Sequence, residues 1–183
     1  INKANEVLSL LIEAEGLELS ETELLHQCIF MLNAGHETST NMLSHGLNEL
    51  INHKDQYKLL QKEPGRIDTA IDEILRFQPP IQINNRRCLE KTKLGDVVVP
   101  EGTSVHMIIA GANRDPLQFF KPETFDISRS PNRHLSFGLG IHICAGINLA
   151  RVEAKVAFQS LMSSFREINL LQKPKVANRI RFR

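Results

Sequence analysis

The chain has 183 residues, 42% hydrophobic and 23% charged, with a formal net charge of +1. That balance fits one ordinary globular domain with a sizeable core and excludes disordered and fibrous classes. Near-neutral charge, with no block of like charges and no basic residues interleaved with aromatics, gives no basis for nucleic-acid binding.

No apolar run reaches the length of a membrane span or has the form of a signal peptide. The cysteines, Cys28, Cys88 and Cys144, are odd in number and far apart, with no Cys-x-x-Cys pair of the kind zinc or dithiol redox sites use. A reducing, cytoplasmic setting is expected. The chain opens on Ile1, inside a helical pattern, so a piece of a longer protein is also expected.

In chain order, Val7, Leu8, Leu10 and Leu11 carry a helix over Asn2 to Ala14, stopped near Gly16. Ser20-Glu21-Thr22-Glu23 reads as a capping box, with serine at the N-cap and glutamate three residues on. The apolar residues that follow predict a long helix to about Leu50, central and buried. Its middle holds Ala34-Gly35-His36-Glu37-Thr38, where a glycine costs about 1 kcal/mol against alanine. A ligand passing close would explain it; so would a helix-packing contact. The Thr38 hydroxyl can bond the carbonyl of Ala34, one turn back, and loosen the helix there, while Glu37 puts an acid beside that alcohol.

Residues 53–63 read as a short polar helix closed by Pro64-Gly65, and Ile67 to Phe77 as a helix stopped before Pro79-Pro80. Glu73 and Arg76 share a face of it. Ile81, Ile83 and Arg86 lie on an extended segment. Leu94 to Val99 and Thr103 to Ile109 read as a hairpin about Pro100-Glu101-Gly102. The proline-rich stretch from Arg114 to Pro131 has little periodicity and is expected to be an irregular packed loop.

The run from Phe137 to Gly146 then brings Cys144 out of a glycine-rich loop. Gly138, Gly140 and Gly146 can take backbone angles closed to other residues and leave no Cβ in the way of a flat ligand. Ile147, Ala150, Ala154, Ala157, Leu161 and Phe165 recur at helical spacing, which sets Cys144 at a helix N-terminus, where unpaired N–H groups and the dipole favour the metal-binding thiolate. A lone cysteine beside glycines is otherwise a small buried hydrophobe. The tail after Phe165 reads as polar turn and strand. The fold class expected is mainly α with small β-sheets.

The spacing Phe137-x-x-Gly140-x-x-x-Cys144-x-Gly146, followed by Asn148-Leu149-Ala150-Arg151-Val152-Glu153-Ala154, resembles the haem-binding loop of the cytochrome P-450 family in the form common among its soluble bacterial members. Ala34, Gly35, Glu37 and Thr38 fill positions similar to that family's oxygen-activating motif. Glu73-x-x-Arg76 before Phe77-Gln78-Pro79-Pro80 resembles its Glu-x-x-Arg, a buried structural pair. Residues 122–126 and 131–135 resemble its meander, whose basic residue (Arg129, Arg133 or His134) closes a network with that pair. The order of these motifs over nearly all 183 residues is that of the family's C-terminal part. The resemblance therefore implies that residues 1–183 are the C-terminal portion of a single haem-thiolate monooxygenase domain whose N-terminal portion is absent.

The same resemblance implies roles. The cofactor would be haem b (iron protoporphyrin IX), with Cys144 as axial ligand to its iron and Phe137, Gly138, Gly140, Ala145 and Gly146 around the sulfur. Arg86, or its neighbour Arg87, and His142 would offset propionate charge, and Ala34 and Gly35 would line the opposite face. Glu37 and Thr38 would be catalytic, relaying protons to dioxygen. Ile81 and Ile83 are substrate-pocket candidates or ordinary core. The implied reaction puts one oxygen atom of O2 into a small, mainly apolar organic substrate, with electrons from a ferredoxin or flavoprotein. Arg151 and Lys155, just beyond the ligand, are either docking charges for an acidic partner or ordinary solvated helix charges. Two further readings are a haem-thiolate binding or sensing protein and a truncated fragment inactive by itself.

Overall fold

The computed structural model describes residues 7–14, 16, 18–172, 174, 175, 179 and 181. They divide into two units, residues 1–37 and 38–183. The expected helical residues 2–6 and tail residues 173, 176–178, 180, 182 and 183 lie outside those described.

The first unit holds helix α1, Val7–Ala14, and the start of helix α2, Glu21–Asn52. The capping box is formed: Ser20 N–H donates to Glu23 Oε2 at 2.9 Å, and Glu23 N–H to Ser20 Oγ at 3.3 Å. Bonds from the Ser20 hydroxyl and backbone hold the Glu23 carboxyl below its usual range. The expectation of a buried α2 needs correction here, since Leu25, Ile29, Phe30 and Leu32 are exposed. In this first unit only Leu24 of α2 is buried among the described residues, whereas in the second unit Met42 and Leu50 join the core. Gly46 is the reason α2 packs closely there. A Cβ at Gly46 would stand 2.6 Å from Phe158 Cζ and 2.9 Å from Ile74.

In the second unit helix α3 spans Lys54–Lys62, and helix α4, Ile67–Phe77, follows a short 3-10 turn at Pro64–Arg66. Ile67, Ala70, Ile71 and Ile74 recur at helical spacing along α4 and are all buried. At roughly 1.5–3 kcal/mol for each large apolar side chain buried, this stripe outweighs any surface ion pair on the helix. Pro79 stops α4, as expected. Helix α6, Ile147–Ser164, lies beside α4 and adds Ala154 and Phe158 to the same core.

The strands differ from the expected hairpin. Strand β1, Ile83–Arg87, pairs antiparallel with β4, Ser104–Ile108, so that Arg86 faces Val105. Strands β2, Thr92–Leu94, and β3, Val97–Val99, form a separate hairpin. The turn is Gly95-Asp96, with Gly95 at φ +58°, a left-handed angle glycine adopts without strain. Pro100-Glu101-Gly102 is instead a connection, tied by Gly102 N–H to the Cys88 carbonyl at 2.8 Å. One helical turn, α5 (Ile109–Ala112), follows β4. From there to residue 139 the chain is irregular. No strand is assigned among the described residues after Ser164, although Gln82 N–H donates to the Arg181 carbonyl at 2.8 Å. No helix among the described residues is long and apolar enough to cross a membrane.

Candidate functional site

The site's foundation is on α4. Glu73 and Arg76, one turn apart, are both 0% exposed. Arg76 Nε and Nη2 donate to the two carboxylate oxygens of Glu73 at 2.7 and 2.8 Å. Its remaining donors reach the carbonyls of Asn113 at 3.0 Å, Pro122 at 2.8 Å and Thr124 at 3.1 Å. Every N–H of the guanidinium is thereby used, the condition under which a charge can be buried. Of the three basic meander residues, Arg129 reaches Glu73, its Nε lying 3.1 Å from Oε2. Asn132 Nδ2 and the Asp126 N–H also donate to Glu73, at 3.0 and 2.9 Å. His134 turns to Asp72 instead, and Arg133 is exposed.

The stem of the cysteine loop is held by Asn113, which sequence reasoning missed. This fully buried side chain accepts the Leu135 N–H at 2.8 Å and donates to Ser136 Oγ at 3.0 Å. Ser136 Oγ in turn donates to the Leu75 carbonyl of α4 at 2.7 Å. The only signal in the sequence is an asparagine at the end of α5.

The loop itself is closed by the Cys144 N–H, which donates to the Phe137 carbonyl at 2.8 Å, and by the Ile143 N–H to the Gly140 carbonyl at 3.1 Å. Gly138 is required twice over. Its φ is +74°, and a Cβ there would stand 2.7 Å from the His142 carbonyl oxygen. Gly140 is also left-handed, at φ +65°, and a short 3-10 turn over Gly140–His142 carries the exposed His142. Helix α6 begins at Ile147 with Gly146 as N-cap, so Cys144 stands just ahead of it; a Cβ on Gly146 would lie 4.0 Å from Cys144 Sγ.

Phe137 is half-buried, with the Arg151 guanidinium 5.5 Å from its centroid and the His134 ring 6.0 Å away. Arg151 pairs with Asp72 at 2.6 Å and Lys155 with Asp68 at 3.1 Å. Arg151 and Lys155, the candidate docking charges, are thus each paired within the chain, to acids of the neighbouring helix α4. Burial pushes the Asp72 carboxyl up, but hydrogen bonds and charge from His134 and Arg151 outweigh it and hold the group below the usual carboxylate range.

The remaining candidates lie elsewhere. Arg86 is exposed on β1, its Nη1 donating to the Asn85 carbonyl at 2.9 Å; Arg87 is its exposed neighbour. Ile81 and Ile83 are half-buried. Ala34, Gly35 and Glu37 belong to the first unit and Thr38 begins the second, all on the unbroken helix α2.

Whether these residues suit the haem implied by the resemblance can be judged from the donor set. Among the described residues no group of three or more His, Cys, Asp or Glu side chains gathers to hold a bare metal ion. A single soft sulfur on a glycine-rich backbone suits an iron whose other ligands come from a macrocycle. The loop's apolar side chains also suit such a flat, apolar group: Leu139 is 75% exposed, Ile141 96% and Ile143 54%. The residues fit.

Comparison with known proteins agrees. A family model described as Cytochrome P450 matches residues 2–179. The biotin biosynthesis cytochrome P450 of Bacillus subtilis is 39% identical over 166 residues, covering 90% of this chain and 42% of that protein. Cytochrome P450 119 of Sulfolobus acidocaldarius is 39% identical over 182 residues, covering 98% of this chain and 48% of its own length. The crystal structure of P450BioI in complex with hexadec-9Z-enoic acid ligated acyl carrier protein superposes with a TM-score of 0.91 at 38% identity, over 95% of this chain and 45% of that one. The chain thus spans less than half the length of the relatives it matches, and its helices and small antiparallel sheets are those of the C-terminal part of their fold. With the family model matching almost the whole of this chain and the fold recurring at that similarity, the chain belongs to the cytochrome P450 family.

Proposed function

We propose that residues 1–183 are the C-terminal portion of a single haem-thiolate monooxygenase domain, one that inserts an oxygen atom of O2 into a small, mainly apolar substrate. The observation that carries the reading is Cys144, presented on a glycine-rich loop whose stem is bonded to α4 through Ser136 and Asn113. Cys144 would hold the iron of haem b, and the bound haem would supply the redox chemistry that divides dioxygen between substrate and water.

The chain's own residues do the rest. Phe137 holds the Cys144 backbone through its carbonyl, which fixes where the sulfur leaves the loop. His142 and Arg86 are exposed cations or potential cations suited to carboxylates. Glu37 and Thr38, consecutive on α2, supply an acid and an alcohol able to pass a proton. Ile81 and Ile83 give the substrate an apolar wall. Support for an apolar substrate comes from relatives: P450BioI was crystallised with a carrier protein bearing hexadec-9Z-enoic acid, and CYP109E1 of Bacillus megaterium with testosterone. Electrons would come from a ferredoxin or flavoprotein, in the cytoplasm.

A second reading, that these residues by themselves bind haem without closing a substrate pocket, draws on the exposure of Leu139, Ile141 and Ile143. The deciding experiment supplies haem, an electron donor and an apolar substrate, and measures product formed per O2 consumed. Monooxygenation gives coupled product, and Thr38→Ala lowers the ratio. A ratio unchanged in Thr38→Ala counts against the proton relay, and haem binding with no product in any variant leaves the second reading.

A further inference from the structure

Helix α4 presents two consecutive acids in different directions. Glu73 anchors the meander, and Asp72 faces the cysteine loop. The Asp72 carboxylate receives the Arg151 guanidinium at 2.6 Å and lies 3.3 Å from His134 Nε2. Those partners stand on opposite sides of the loop in sequence. His134 lies three residues before Phe137, and Arg151 in the second turn of α6, just past Cys144. Both also flank the Phe137 ring, at 6.0 and 5.5 Å, and the Phe137 carbonyl accepts the Cys144 N–H.

The His134 ring has a defined tautomer. Its Nδ1 lies 3.2 Å from the Ser136 N–H and accepts from it, so in the neutral ring the proton is on Nε2, aimed at Asp72. The Arg151 guanidinium and the His134 ring meet at the same Asp72 oxygen, Oδ1, so one carboxylate draws both sides of the loop together, by an ion pair on one side and the ring on the other. Arg151 is 35% and Asp72 25% exposed, so solvent weakens the pair without dissolving it.

We infer that Asp72 is a positioning residue, a clamp that ties the segments entering and leaving the cysteine loop to α4 and through Phe137 sets the orientation of the Cys144 sulfur. The clamp rests on the haem-thiolate reading only for its spectroscopic consequence; its mechanical part belongs to the chain alone. Glu73 and Arg76 hold the fold, whereas Asp72 holds the ligand loop on that fold.

The test is residue-resolved hydrogen exchange on the full chain with Asp72→Asn, which keeps the side chain's size and one carbonyl acceptor but removes the charge. Arg151→Met cuts the same pair from the other side and takes its place if Asp72→Asn loses its helical circular dichroism. The expected result is exchange at the Cys144 and Ile143 amides faster by about tenfold, while the Ile74 amide in α4 and the Asp126 amide on Glu73 keep their wild-type rates. In the haem-loaded, reduced and carbon monoxide-bound protein the same variant loses part of its thiolate-type Soret band. Unchanged exchange at Cys144, an equal rise at Ile74 and Asp126, or an unaltered Soret band would each overturn the clamp. A wild type without a thiolate-type band refutes the haem-thiolate reading separately, and the exchange rates still decide the clamp.

Discussion

Two regions of the second unit, joined by α4, are finished to different degrees. Glu73 and Arg76 themselves are fully buried, and the guanidinium's donors are all used on Glu73 and three carbonyls. Around Cys144 the backbone is as firmly bonded, but the side chains of Leu139, Ile141 and Ile143 point into open space. Both regions are loops without regular secondary structure over most of their length, so order does not require helix or strand. It requires that polar backbone groups find partners, and here buried side chains of α4 and Asn113 supply them. What separates the regions is which surface each completes: one closes the chain's interior, the other presents a backbone cradle outward.

The sharpest way to break the contrast is Arg76→Ala. It removes the buried cation that takes both oxygens of Glu73, leaving only Arg129 to offset that charge, and orphans the Asn113 and Pro122 carbonyls, so the chain should lose about 3–5 kcal/mol or fail to fold, read from urea unfolding by circular dichroism. A loss under 1 kcal/mol would mean the network is incidental. Gly138→Ala should act more locally, costing about 1–2 kcal/mol from the left-handed angle alone, with added displacement because its Cβ meets the His142 carbonyl. Its expected signature is weakened haem binding with the melting of α4 and α6 little changed; wild-type haem affinity would contradict the described loop.

The smallest effect is acid sensitivity at Asp72. Its carboxyl is held below the usual range in the folded chain, so at low pH the unfolded state binds more protons than the folded one. The pair's contribution is therefore full above the ordinary carboxylate pKa of about 3.9 and is lost as pH falls through the lower folded value. In Asp72→Asn that part of the acid limb of stability against pH should flatten, measured by thermal melts from pH about 6 downward. A limb identical to wild type would remove the ion pair from the account.

Much of this was legible from local chemistry. Ser20 and Glu23 announce the start of α2, Pro79 the end of α4, and the spacing of Ile147, Ala150 and Ala154 the helix behind Cys144. What was not legible depends on distance along the chain. Pro100-Glu101-Gly102 carries turn chemistry as strong as that of Gly95-Asp96, and only the pairing of β4 with β1, across some twenty residues, decides between them. Arg129 and Arg133 are indistinguishable in an aperiodic stretch until Glu73 selects one. The Asp72–Arg151 and Asp68–Lys155 pairs join two helices far apart in sequence, so nothing in α6 alone announces them. The exposure of the apolar first half of α2 was equally out of reach, since periodicity reports a face that can be buried and not what buries it.

The central claim is that Cys144 is the thiolate ligand of a haem iron. It is tested most directly by loading the chain with haem, reducing it, adding carbon monoxide and recording the Soret band of wild type and Cys144→Ala side by side. The account predicts a thiolate-type band in the wild type that Cys144→Ala abolishes while its helical circular dichroism is retained. The same band in both proteins, or a wild-type spectrum showing bound haem without thiolate character, would contradict it.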